Sequence, residues 1–160
     1  MMKTNEYSLY PVIKGWFNNY LKSKFRKTEI EVFDTHRRTL SKFLQENNFK
    51  NNFPLCDTFE IKVDLTAIIK QKNAINLAFI EVKSGQVRLR DIGQLLGYCK
   101  VADPLLAFLI SPNWISVPVH HLLINYGKQN ILEYNNKKIV IAEWNEVTNS
   151  INFNRIIPRG

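Results

Sequence analysis

Cysteine is scarce in this chain: Cys56 and Cys99 are its only two. They form no CxxC pair and have no histidine at zinc spacing, so neither a disulfide framework nor a zinc finger is indicated. Buried free thiols in a reducing cytosol are the expected state. Acidic residues are also short, 14 Asp and Glu against 22 Lys and Arg, which leaves a net charge of +8. That balance favours a polyanionic partner such as nucleic acid, mainly through phosphate contacts. Long apolar runs are missing. The opening MMKTNEYSLYPVIKGW lacks a hydrophobic signal core and no stretch approaches a membrane span, so the expectation is a soluble, cytoplasmic protein. No GxxxxGK[ST] loop occurs, so nothing points to ATP. His36, His120 and His121 show no HExxH or triad spacing, and Ser84 and Ser111 have no GxSxG elbow.

What is present suffices for a core. Hydrophobic residues make up 45% of the 160 and charged residues 22%, the balance of a folded chain, and the length fits one domain spanning 1–160. Leu9, Ile13, Trp16, Phe17 and Tyr20 recur at helical spacing over 5–23, with Pro11 suited to a first turn. Residues 29–33 read as a short strand, 35–46 as a helix with Leu40, Phe43 and Leu44 inward, and the Asn-rich ENNFKNNFP as a loop. FEIKVDLTAII, 59–69, alternates apolar Phe59, Ile61, Val63 and Leu65 with polar Glu60, Lys62, Asp64 and Thr66, which predicts a strand with one polar face. After a QKN turn, 75–83 is apolar on both faces until Glu81 and predicts a central strand paired antiparallel to the first.

Residues 87–102 predict a helix with Leu89, Ile92, Leu96 and Cys99 along one stripe, ended by Asp103-Pro104. LLAFLIS, 105–111, predicts a buried strand lying parallel to its neighbour after the helical crossover. A helix near 116–127 and a strand over 137–144 follow, with no internal repeat. This order predicts an α/β three-layer sandwich: a central mixed sheet flanked by helices.

The chemistry concentrates on the hairpin. Glu81 and Lys83 stand at i and i+2, so on a strand they project from the same face. Asp64 lies seventeen residues before Glu81, a separation that one strand and a turn can fold back. Two carboxylates and an ammonium would then converge. Unpaired buried carboxylates are costly. A hard cation such as Mg2+ resolves that cost with oxygen ligands, here Asp64, Glu81 and the Val82 carbonyl. Bound metal activates water and offsets phosphate charge. Lys83 would orient the water, help deprotonate it or neutralise phosphate. The plainer alternative is a salt bridge between Lys83 and either carboxylate. On the next helix Arg90, Gln94 and Tyr98 recur every four residues as a polar stripe. Gln94 is a candidate for the metal-bound water or a phosphate. Tyr98, Arg90 and the neighbouring Arg88 are candidates for nucleic-acid contacts. A solvated helix face is the other reading. Lys24 and Arg26, in the run Lys22–Lys27, and likewise Arg37 and Arg38, read either as solvated charge or as a grip on a DNA backbone.

The segments VDLTAII, FIEVKSGQ and GQLLGY together resemble the PD-(D/E)xK nuclease superfamily, whose restriction-endonuclease-like core is an αβββαβ unit. The resemblance covers residues 5–111, with the motif in 59–98. It implies that Asp64 and Glu81 bind metal, that Lys83 is the catalytic lysine, and that Gln94 with Tyr98 forms the QxxxY element of RecB-like and Cas4-like members. It also implies an acidic residue on the first helix, a place Glu6 would fill as a further metal ligand; the alternative for Glu6 is a helix-start charge. Val63 stands where the signature has proline. Two cysteines cannot hold the iron–sulfur cluster of Cas4-like members, so no cluster is expected. The expected activity is an Mg2+-dependent deoxyribonuclease, endonuclease or exonuclease, with Mn2+ able to substitute. The alternative is an inactive DNA-binding or assembly module of the same fold. Duplex cleavage by one site per chain would favour a homodimer, with WISVPVHHLLI, 114–124, either its interface or core.

Overall fold

The computed structural model describes residues 5–159. Its elements are α1 (Glu6–Lys24), β1 (Glu29–Asp34), α2 (Leu40–Glu46), β2 (Leu65–Gln71), β3 (Ala74–Val82), α3 (Leu89–Ala102), β4 (Leu106–Ser111), α4 (Val117–His120), β5 (Glu133–Tyr134), β6 (Lys137–Lys138), β7 (Val140–Asn145) and β8 (Ser150–Ile157). Among the described residues one six-stranded sheet runs β1-β2-β3-β4-β7-β8. β1, β2 and β3 are mutually antiparallel, β3, β4 and β7 are parallel, and β8 returns antiparallel on β7. The order contains α–β–β–β–α–β, with short α2 inserted between β1 and β2. The α/β class, the mixed sheet, the antiparallel hairpin and the parallel crossover are all as expected.

Two apolar layers hold the sheet. On one face α1 delivers Leu9, Tyr10, Ile13, Phe17 and Leu21 against Leu65, Ala67, Ile69, Ala78, Ile80 and Phe108. On the other, α2, α3 and the helical turn after α4 pack Leu40, Leu44, Ile92, Leu95, Cys99 and Leu123 against Ile68, Leu77, Phe79 and Leu109. Alternate residues of β2 and β3 serve opposite layers, as the two-residue strand period requires. This is a three-layer sandwich.

Four expectations need correction. The extended segment 59–64 is not part of the sheet: the Phe59 and Ile61 carbonyls accept from Ser41 and Leu40 at the start of α2. β2 therefore begins at Leu65, and it has no polar face. Lying between β1 and β3 under both layers, it buries Thr66 completely, and the Thr66 hydroxyl pairs with that of Thr35 at 2.8 Å. On α3 the buried stripe is Ile92, Leu95, Cys99 and Ala102 rather than one starting at Leu89, which is 56% exposed. Leu89 occupies the first turn, beyond the end of β3, where no sheet lies beneath it. The helix expected from residue 35 starts at Leu40, capped by the Thr39 hydroxyl accepting from Lys42 N–H. Finally, 137–144 is split: β6 pairs with β5 in a small hairpin and only β7 joins the main sheet. The expected helix at 116–127 continues past α4 as one π-type turn, His121–Asn125. Asp103 closes α3 in the left-handed conformation, φ 51°, ahead of Pro104.

Candidate functional site

The site lies at the end of the sheet where β3 finishes and β2 begins. The register pairs Leu65 with Ile80, so one position further along Asp64 stands opposite Glu81. The chain bends into β2 at Asp64, whose backbone carbonyl accepts from Thr35 N–H at 2.9 Å. That bend leaves the last β3 amide toward β2 without a strand partner. The Asp64 carboxylate takes its place: Oδ2 accepts from Val82 N–H at 2.8 Å. Oδ1 accepts from the Tyr10 hydroxyl of α1, also at 2.8 Å. In a strand the N–H and C=O of one residue point to the same side. The Val82 carbonyl therefore opens toward Asp64.

Glu81 is 5% exposed and Asp64 8%. Lys83 Nζ reaches Glu81 Oε1 at 3.3 Å. Glu81 Oε2 is fully buried and has no hydrogen-bond partner among the described residues. Burial, and then the neighbouring Asp64 charge, push the Glu81 pKa up to about 8. Burial raises Asp64 as well, against the two hydrogen bonds it accepts. Burial works against the Lys83 ammonium, but Glu81, Glu6 and Asp64 outweigh it and raise its pKa. The Tyr10 phenol is raised by burial and by Asp64, so it remains a donor.

Glu6 also comes to this point. The helix cap is Asn5, whose side chain accepts from Tyr7 N–H at 3.2 Å. The Glu6 carboxylate instead accepts from Ser84 N–H, just beyond β3, at 3.3 Å. Burial raises its pKa, and it feels Lys83, Asp64 and Asp91. Asp91 is itself buried and accepts from Arg88 N–H at 2.8 Å, which fixes the first turn of α3 beside the site.

The remaining candidates are not drawn in equally. Gln94 and Tyr98 engage each other, Nε2 to OH 2.7 Å, and none of the hydrogen bonds among the described residues joins them to the carboxylates. Arg88 and Arg90 are exposed and flank a groove floored by Leu89, Val117 and Leu122. Lys24 ends α1, about 27 Å from Glu6 at the usual helical rise, and Arg26 lies just beyond. The sheet end does not gather them. Of the 114–124 stretch, Ile115, Val119 and Leu123 are core, while Val117 and Ile124 are exposed. Tyr10, Asp91 and the Asp34–His36 pair are site neighbours that the sequence reading missed. Tyr10 follows Glu6 by one helical turn, a spacing that could have flagged it.

Compared with family models, with curated proteins and with solved structures, the chain has no significant match. Among the described residues, no helix is long and apolar enough to cross a membrane, and no group of three or more His, Cys, Asp and Glu side chains is spaced to hold a metal ion. A cation placed here would draw on two carboxylates and a carbonyl, with Glu6 tied to Ser84. The fit rests on Glu81 Oε2: a buried carboxylate oxygen without a donor is what a hard cation satisfies.

Proposed function

We propose that this protein is a metal-dependent deoxyribonuclease related to the PD-(D/E)xK superfamily. The observation that carries the reading is the meeting of buried Asp64 and Glu81 at one hairpin end, with Glu81 Oε2 unpartnered and Lys83 on the same face. Asp64, Glu81 and the Val82 carbonyl would hold a Mg2+-type ion, which supplies an activated water and offsets charge on phosphate. Tyr10 and the Val82 amide fix the Asp64 oxygens. Lys83 holds Glu81 in place and, with its raised pKa, stays a cation able to face the phosphate rather than act as a base. Glu6 orders the Ser84 backbone beside it. A homodimer would give duplex cleavage its second site.

The test is cleavage of a DNA panel (linear, nicked, branched and single-stranded) in Mg2+ or Mn2+, in EDTA, and with Lys83→Ala. The expected outcome is cleavage that needs metal and drops by about 10²–10³-fold in the variant, the usual range for losing one group that stabilises transition-state charge. Metal-independent cleavage, or an unaffected variant, would overturn the reading. DNA retention without cleavage would select a binding module instead.

A further inference from the structure

The turn Thr35–Thr39 carries His36, Arg37 and Arg38 in succession and is bolted to the segment that ends in Asp64. Thr35 N–H donates to the Asp64 carbonyl, and its hydroxyl donates to the Val63 carbonyl at 2.6 Å. Thr35 is 1% exposed, and Arg38 N–H closes the turn onto the Thr35 carbonyl at 3.1 Å. The two arginines are built differently. Arg38 is neutralised by Glu46 at 2.8 Å, with its carboxylate on α2. Arg37 is in no ion pair among the described residues; its Nε donates to His36 Nε2 at 3.1 Å. The His36 ring is fixed in turn. Its Nδ1 faces the Asp34 carboxylate, which also accepts from the His36 N–H, and the ring lies against Tyr7 and Tyr10 at centroid distances of 5.2 and 5.0 Å. Tyr10 is the residue that holds Asp64.

A guanidinium held at Nε presents its two terminal amino groups outward in a fixed plane, the geometry that matches a phosphate. Asp34, His36, Arg37 and Arg38 line an open cleft on this edge. We propose that Arg37 grips a backbone phosphate flanking the scissile one, and that His36, oriented by Asp34, positions it. The inference rests on the nuclease reading for the nature of its ligand. It adds a contact on β1's side of the site, remote in sequence from the ExK hairpin and from the arginines of α3. Arg38, one residue away, is spent on Glu46 and serves as the internal control.

The experiment measures the salt dependence of binding to a short duplex DNA in EDTA, where no cleavage occurs. Each phosphate neutralised contributes about 0.9 to the slope of log affinity against log salt. Arg37→Ala is expected to flatten the slope by about that amount, and Arg38→Ala to leave it unchanged. His36→Ala should weaken binding, and the His36→Ala/Arg37→Ala double variant should bind no worse than Arg37→Ala alone, because the histidine acts only through the arginine. An unchanged Arg37→Ala slope, an equal change in Arg38→Ala, additive losses in the double variant, or no DNA binding by the wild type would each overturn the proposal. Cleavage in Mg2+ is read on the same proteins. Wild-type cleavage with an unchanged Arg37→Ala slope removes the grip and leaves the nuclease reading; the expected slope change without wild-type cleavage does the reverse.

Discussion

The two ends of α1 bury opposite kinds of chemistry. Toward its C-terminus Trp16, Phe17 and Tyr20 pack edge-to-face on Phe108 and Trp144, with ring centroids 5.4–6.0 Å apart. Toward its N-terminus Glu6 and Tyr10 meet Asp64, Glu81 and Lys83. Among the described residues each end buries one polar atom without a hydrogen-bond partner, Trp144 Nε1 at the first and Glu81 Oε2 at the second. The indole N–H is neutral, so its loss of water costs far less than that of a charged group. The carboxylate oxygen gains no such relief, and its neighbour Asp64 makes the charge harder to hold. The same kind of exception therefore differs in cost: tolerable at the aromatic end, and severe enough at the carboxylate end to motivate the proposed metal site. The aromatic end supplies stability that the carboxylate end withdraws.

The sharpest way to break that contrast is Phe17→Ala. Phe17 is fully buried, and truncating such a phenylalanine costs about 3–5 kcal/mol. Denaturant unfolding should show that loss, while DNA cleavage per folded molecule should stay near wild type. A variant that unfolds easily and also cleaves poorly when folded would mean that the two ends are one functional unit.

Glu81→Gln works from the other side. With a folded-state pKa near 8, above its ordinary 4.5, Glu81 holds its proton more tightly when folded. That contribution is present below about pH 4.5 and is lost as pH rises through about 8. Wild-type stability in EDTA should therefore decline across this window, and Glu81→Gln should flatten the decline. Above pH 8 the variant should be the more stable of the two, because it has no buried carboxylate to ionise at this position. Mg2+ should raise the wild-type melting temperature and not that of the variant. A variant less stable than wild type at pH 8.5 would show that Glu81 is a structural ion pair after all.

Sequence carried the sheet's central hairpin and crossover because period-two and helical patterns there are strong and unbroken. It also brought out Asp64, Glu81 and Lys83, since same-face spacing on one strand and a foldable interval between strands are local properties. It failed where tertiary context decides. Phe59–Val63 alternates like a strand, but its carbonyls are taken by the start of α2. Leu89 fits a helical stripe, but the sheet ends before it. β8 was passed over because an edge strand mixes exposed Phe153, Asn154 and Arg155 with buried Ile151 and Ile157, and no period survives. Tyr10 and His36 escaped for a different reason: they act on Asp64 from 54 and 28 residues away in the chain, and only the one-turn spacing of Tyr10 from Glu6 gave a local signal.

Tyr10→Phe is the smallest perturbation and the finest probe of the contrast, because the ring and its packing remain while one hydroxyl leaves. Removing the donor from a buried carboxylate costs about 1.5 kcal/mol when the carboxylate is charged. The hydrogen bond from Tyr10 lowers the Asp64 pKa against the larger, opposing effect of burial. Without it the folded-state pKa rises further above the unfolded value, so the charged form becomes still harder to keep in the fold. The penalty must then grow with pH: small at a low pH, where protonated Asp64 has little need of the donor, and at its full size at a high pH, where Asp64 is ionised. A penalty of the same size at both pH values would reduce Tyr10 to a packing residue and leave Asp64 held by the Val82 amide alone.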